Sequence, residues 1–123
     1  MPSARKDPVV GIVGATGLVG RELVELIKRR RLRVGELKCF SSGRTRAFVS
    51  FHGRRLAAPE PSERALADCD LIFLVSSDEV ARMYAPALAG RGVWVIDDSA
   101  AFRLDPKVPL VIPEVNADAL RLD

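Results

Sequence analysis

The chain has 123 residues, an apolar content of 48% and a mean hydropathy of +0.10, which suits one folded domain and rules out a disordered segment. A net charge of +3 is too mild to announce nucleic-acid binding. No apolar stretch approaches the ~20 residues of a membrane helix, so no membrane partner is expected.

Residues 1–7 form a polar tail with no apolar signal core behind it. The two cysteines, Cys39 and Cys69, show neither a pairing pattern nor metal-ligand spacing. Together these features predict a cytoplasmic, reducing setting and no metal site.

Residues 8–13 read as a first strand, and Gly14, Gly17 and Gly20 follow it at a spacing of three. The pattern then predicts an amphipathic helix over 18–31, with Leu23, Leu26, Ile27 and Arg30 recurring at helical spacing. The basic run at its end, Lys28 to Arg33, complements the helix dipole and faces water. No aromatic interleaves with that run, as a stacking surface for bases would require.

A second strand is expected over 36–40, then a polar loop over 41–46. An edge hairpin is expected from 48–51 and 55–58 around His52 and Gly53, with a short helix over 62–67 after it. The continuous apolar run 70–75 is the mark of a parallel strand buried on both faces. Ser76, Ser77, Asp78 and Glu79 start a helix that runs to about 89, disturbed by Pro86 and ended by Gly90 and Gly92. Residues 93–96 give the next buried strand. Pro106 and Pro109 punctuate a loop leading to 110–112, and Asn116 is expected to cap a last short helix through 120.

This alternation predicts one domain over 8–123, an α/β Rossmann-type, doubly wound and mostly parallel sheet. In such folds ligands sit beyond the carboxyl ends of the strands, where the glycine loop, the 41–46 loop and the 76–79 loop converge. Glycines let backbone amides approach a pyrophosphate, and the helix behind them aims its positive end at the anion. Gly14, Thr16, Gly17, Leu18, Val19 and Ser76 are therefore candidate cofactor-binding residues. A glycine-rich turn that binds nothing has the same spacing.

A NAD site places an acid about 20 residues beyond the glycines, at the end of the second strand. Here that stretch is Phe40-Ser41-Ser42-Gly43-Arg44, without an acid. A hydroxyl beside a guanidinium suits a ribose 2′-phosphate, so Ser42 and Arg44 favour NADP. An ordinary solvated loop reads the same way.

Other chemistry is excluded by residue type. The lone tyrosine, Tyr84, has Leu88 where a Tyr-x-x-x-Lys dehydrogenase needs its lysine. His52, the lone histidine, falls in a hairpin turn, and Cys39 and Cys69 belong to strand contexts with no base beside them. No catalytic residue is assigned. Arg103, in the segment after the 93–96 strand, is placed to bind an anionic substrate or to pair with Asp98 or Asp105.

Three ordered motifs now become specific: Gly14-Ala15-Thr16-Gly17-Leu18-Val19-Gly20-Arg21-Glu22-Leu23, then Val95 to Arg103, then Pro109 to Asn116. Together they resemble the aspartate-semialdehyde dehydrogenase family, over nearly the whole chain from Val9. The resemblance implies NADPH-dependent reduction of an acyl phosphate, L-aspartyl-4-phosphate, on the route to lysine, threonine and methionine. It also implies a cofactor held by the glycine loop with Ser42 and Arg44, a substrate phosphate on Arg103, and a homo-oligomeric full-length enzyme.

The chain departs from the family's pattern at several points. Asp97-Asp98-Ser99-Ala100 stands for Asp-Asn-Ser-Ser, Ser76-Ser77-Asp78 for an alanine-glycine-glycine turn, and Thr45-Arg46-Ala47 for Ser-Ala-Gly. The family's nucleophilic cysteine and histidine base lie beyond this stretch, so a second, catalytic and dimerisation domain is expected to be absent. A chain ending at Asp123 is then expected to be inactive alone and prone to self-association. The segment Ser99 to Leu104 also resembles N-acetyl-glutamyl-phosphate reductases, but the Pro109 to Asn116 motif speaks against them. A stand-alone nucleotide-binding module is the alternative from another class.

Overall fold

Apolar residues in β1 (Val9–Val13) alternate between two hydrophobic layers, and that alternation organises the whole molecule. A computed structural model describes residues 7–41, 47–111 and 113–119. In chain order, β1 is followed by α1 (Leu18–Arg29), β2 (Glu36–Phe40), β3 (Phe48–Phe51), β4 (Arg54–Ala57) and α2 (Glu63–Ala67). Then come β5 (Leu71–Leu74), α3 (Asp78–Gly90), β6 (Trp94–Asp97), α4 (Pro113–Asn116) and a 3₁₀ turn, Ala117–Ala119.

Four strands form a parallel sheet in the order β2-β1-β5-β6. On one face Val10, Ile12, Leu37 and Cys39 pack with Val24 and Ile27 of α1. On the other, Val13, Phe40, Ile72 and Leu74 pack with Leu66 of α2 and with Ala81 and Leu88 of α3. Fully buried aliphatic side chains such as Ile12, Leu74 and Leu88 contribute about 1.5–3 kcal/mol each. The sheet is therefore doubly wound, as the apolar runs predict. Val13 is in register with Phe40 on one side and Leu74 on the other. The chain passes from β1 outward to β2 and then returns to β5 on the opposite side. That reversal opens a crevice between the carboxyl ends of β1 and β5.

Helix ends follow local chemistry. Ser62 and Ser77 each accept a hydrogen bond through Oγ from the backbone three residues on, Ala65 N and Val80 N, at 3.2 Å. Gly92, at φ +82°, closes α3, and Val93 N donates to Leu88 O at 3.0 Å. Pro86 lies inside α3 without ending it.

Four expectations need correction. The strand expected to be buried over 93–96 runs over Trp94–Asp97 as the last strand of the sheet, paired on one side only, and Ile96 is 48% exposed. α1 stops at Arg29, two residues early, because Arg31 takes a left-handed φ of +49° while Leu32 N donates to Ile27 O. The hairpin is no edge of the main sheet. β3 and β4 form a separate two-stranded sheet whose Val49, with the adjoining Ala58, enters the α1-side core. Asn116 ends α4 rather than capping a helix start, and its Nδ2 donates to Leu110 O at 2.7 Å. Residue 120, the expected end of that helix, lies outside the described residues. No helix among the described residues is long and apolar enough to cross a membrane.

Candidate functional site

The glycine loop is pinned from behind and open in front. Gly14 N and Ala15 N both donate to Phe40 O, at 2.9 and 3.1 Å, and Gly17 N donates to Gly14 O at 3.1 Å. Gly14 has φ +92°, and a Cβ there would lie 2.5 Å from Val75 O at the end of β5. Glycine alone lets β1 and β5 turn so closely together. A Cβ on Gly20 would lie 2.7 Å from Ala15 Cα, so α1 sits directly on the loop.

Gly17, by contrast, faces open space, its nearest neighbour being Gly14 O at 3.5 Å from a Cβ position. It is the N-cap of α1 and supplies no side-chain acceptor. The amides of Leu18, Val19 and Gly20 therefore begin α1 without partners among the described residues, at the positive end of its dipole. Leu18 and Val19 are 88% and 55% exposed, so nothing described covers them. Arg21 braces the loop by donating from Nε to Thr16 O at 3.0 Å.

Of the other predicted cofactor residues, Ser76 is half-buried across the crevice, its Cβ 3.3 Å from the Cβ position of Gly14. Val75 N donates to Val13 O and holds the two strand ends together. Ser42 and Arg44 lie outside the described residues.

The segment after β6 reaches the same end of the sheet. Asp98 N continues the ladder by donating to Leu74 O at 3.1 Å. The Asp97 carboxylate accepts from Ser99 N at 2.8 Å and from Ser99 Oγ at 3.0 Å. Asp78, the first residue of α3, accepts from Ala100 N at 3.0 Å and ties this segment to the helix. Reading the sequence found Asp78 only as a helix-start acid; nothing in local spacing announces a partner 22 residues away. Arg103 is exposed, and among the described residues it pairs with neither Asp98 nor Asp105. Partial desolvation, then the neighbouring Asp97 charge, pushes the Asp98 carboxyl above its ordinary range.

The residues that carry nucleophilic chemistry are kept apart. Burial pushes the Cys39 and Cys69 thiols up to about 11, so both stay protonated near neutrality. Cys39 belongs to the α1-side core and Cys69 precedes β5, at the end of the sheet away from the glycine loop. His52 is exposed at the tip of the β3–β4 hairpin, its ring 4.3 Å from that of Phe51. What the described crevice offers is an anion cradle with open amides.

Residues 9–122 match the family described as semialdehyde dehydrogenase, NAD binding domain. The chain is 37% identical to the aspartate-semialdehyde dehydrogenase of a Synechocystis species over 111 residues, covering 89% of this chain and 33% of that protein. It is also 37% identical to the aspartate-semialdehyde dehydrogenase of Aquifex aeolicus, over 91% of this chain and 34% of that one. Among solved structures, aspartate semialdehyde dehydrogenase II from Vibrio cholerae superposes with a TM-score of 0.86 at 33% identity, covering 93% of this chain and 34% of that one. The chain thus spans about a third of the length of the relatives it matches.

Proposed function

The chain belongs to the semialdehyde dehydrogenase NAD-binding domain family, and from that footing we propose that it holds NADP(H) for reduction of an acyl phosphate of the aspartyl-phosphate type. Thr16, Leu18 and Val19 receive the pyrophosphate through backbone amides, Gly14 and Gly17 give it room to approach the loop, and Ser76 lines the far side of the crevice. Ser42 and Arg44 receive the ribose 2′-phosphate, where a NAD-specific site would present an acid. The bound cofactor supplies the hydride. Arg103 carries the substrate's phosphate, its guanidinium being exposed and not engaged by the nearby acids.

The observation that carries this reading is the uncapped start of α1 at the crevice between β1 and β5. The cradle fits the pyrophosphate because Gly17 leaves clear the space that a side chain would fill.

Acyl-phosphate reduction, as the family resemblance implies it, also needs a thiolate and a base within about 3 Å of the proton it moves. Neither Cys39 nor Cys69 supplies that thiolate, so turnover calls on a cysteine outside these 123 residues. Within a full-length enzyme of the family the domain works in a cytoplasmic homo-oligomer.

Calorimetry with NADPH and NADH tests the cofactor assignment. NADPH binds more tightly, and Arg44→Ala removes most of the difference, a charge-assisted hydrogen bond being worth about 1.5–3 kcal/mol. Equal affinities for the two cofactors in the unaltered chain would sink the NADP assignment.

A further inference from the structure

The peptide between Thr16 and Gly17 is held at both ends, by two unrelated groups. Its N–H, on Gly17, donates to Gly14 O at 3.1 Å within the loop. Its carbonyl, on Thr16, accepts from Arg21 Nε at 3.0 Å, and Arg21 belongs to α1. The helical ladder begins one residue later, with Arg21 N on Gly17 O at 2.9 Å. Among the described residues, then, no backbone amide donates to Thr16 O, and the Arg21 side chain is its hydrogen-bond partner.

That restraint falls where the backbone is least determined. Gly17 is exposed, and a Cβ there would meet only Gly14 O, at 3.5 Å. The glycine that gives an anion room therefore leaves the adjoining peptide plane free of steric guidance. On either side of it, the amides of Thr16, Leu18 and Val19 have no partners among the described residues. If the plane turned over, the Thr16 oxygen would share their space, and an anion would meet the negative end of a dipole. Arg21 is exposed, and no carboxylate among the described residues lies within ion-pair range to draw it away from this bond. A cation this near the start of a helix gains nothing from the dipole, so helix stability does not explain its place.

We propose that Arg21 is a positioning residue for the diphosphate of the dinucleotide: its bond to Thr16 O fixes the Thr16–Gly17 peptide, so that the amides of Thr16, Leu18 and Val19 face the anion without an opposing oxygen. The role rests on the cofactor reading above and extends it to a side chain outside the glycine motif. Holding the loop in its binding shape beforehand spares the ligand the cost of ordering it. The bond uses Nε, so the role requires a donor at that point of the side chain and not the positive charge. NADPH and NADH share the diphosphate, so Arg21 acts on both alike.

The test is calorimetry with NADPH and with NADH on the 123-residue chain and two variants. Arg21→Met keeps the reach of the side chain and loses the donor, and both cofactors bind about tenfold more weakly. Arg21→Gln carries an N–H donor bonded to Cδ, as arginine does at Nε, but no charge. It binds both cofactors within about threefold of the parent chain, since an exposed charge adds little. This rescue separates the bond from the charge and guards against a folding defect. The ratio of NADPH to NADH affinity stays at the parent value in both variants, whereas Arg44→Ala changes it. In the ligand-free chain, hydrogen exchange at the Gly17 amide quickens in Arg21→Met and keeps the parent rate in Arg21→Gln.

Equal weakening in the two variants would assign the effect to charge and overturn the positioning role. Parent-like binding by Arg21→Met, or a loss confined to NADPH, would overturn it too, with the cofactor reading left standing. A parent chain in which saturating NADPH leaves the Leu18 and Val19 amide resonances unmoved would defeat the cofactor reading and this role together.

Discussion

Gly14→Ala probes the crevice most directly, because two separate penalties act at one Cβ. At φ +92° the backbone is in the region disfavoured for L side chains, a cost of about 1–2 kcal/mol. The new Cβ also lies 2.5 Å from Val75 O and 3.0 Å from Val75 C. Val75 cannot withdraw freely, since its amide donates to Val13 O at 3.0 Å and keeps β5 against β1. Overpacking of this kind costs about 1–3 kcal/mol, so the variant loses about 2–5 kcal/mol in all. Gly92→Ala isolates the first penalty, because Gly92 has φ +82° and nothing within 4 Å of its Cβ position. Urea unfolding of both variants reads the difference, with unchanged m-values as the check on two-state behaviour. Gly14→Ala should be the weaker by about 1–3 kcal/mol, the overpacking alone. Equal losses in the two variants would refute the close approach of β1 and β5 as the reason for glycine.

Gly17→Ala should leave stability within about 1 kcal/mol, since its Cβ meets only Gly14 O at 3.5 Å, yet weaken NADPH about tenfold by standing before the α1 amides. Parallel unfolding and calorimetry separate the two effects. The two thiols make stability fall in alkali: folded pKa values near 11 exceed the ordinary 9.0, so the folded chain keeps protons that the unfolded chain releases. Their contribution is full below pH 9 and drains away between 9 and about 11, and a Cys39→Ala, Cys69→Ala double variant should show a flatter stability curve there. At Asp98 the folded pKa is likewise raised, so ionisation penalises the folded state once pH climbs above the ordinary 3.8. Asp98→Asn should therefore gain stability at pH 7 relative to pH 3.5, measured by thermal unfolding, and a gain independent of pH would exclude the desolvated charge as its cause.

Much of the fold was legible in residue order because its signals are local. Apolar runs bounded by Gly, Pro and Ser mark β2, β3 and the burial of β5, and serine caps mark where α2 and α3 begin. The glycine spacing marks the turn from β1 into α1, since the requirement for a missing Cβ is written at Gly14 and Gly20 themselves. Tertiary structure decided what depends on partners distant in sequence. Whether the hairpin extends the sheet or packs over α1 rests on where Val49 and Ala58 find apolar surface, which no turn signal encodes. Arg31 takes a left-handed φ that its residue type disfavours, where helix closure by Leu32 N onto Ile27 O outweighs the local preference. Asp78 meets Ala100 only after parallel crossovers bring the ends of β5 and β6 and the start of α3 to the same side of the sheet. Local chemistry chose the elements, and the packing of apolar faces chose which polar groups came to face one another.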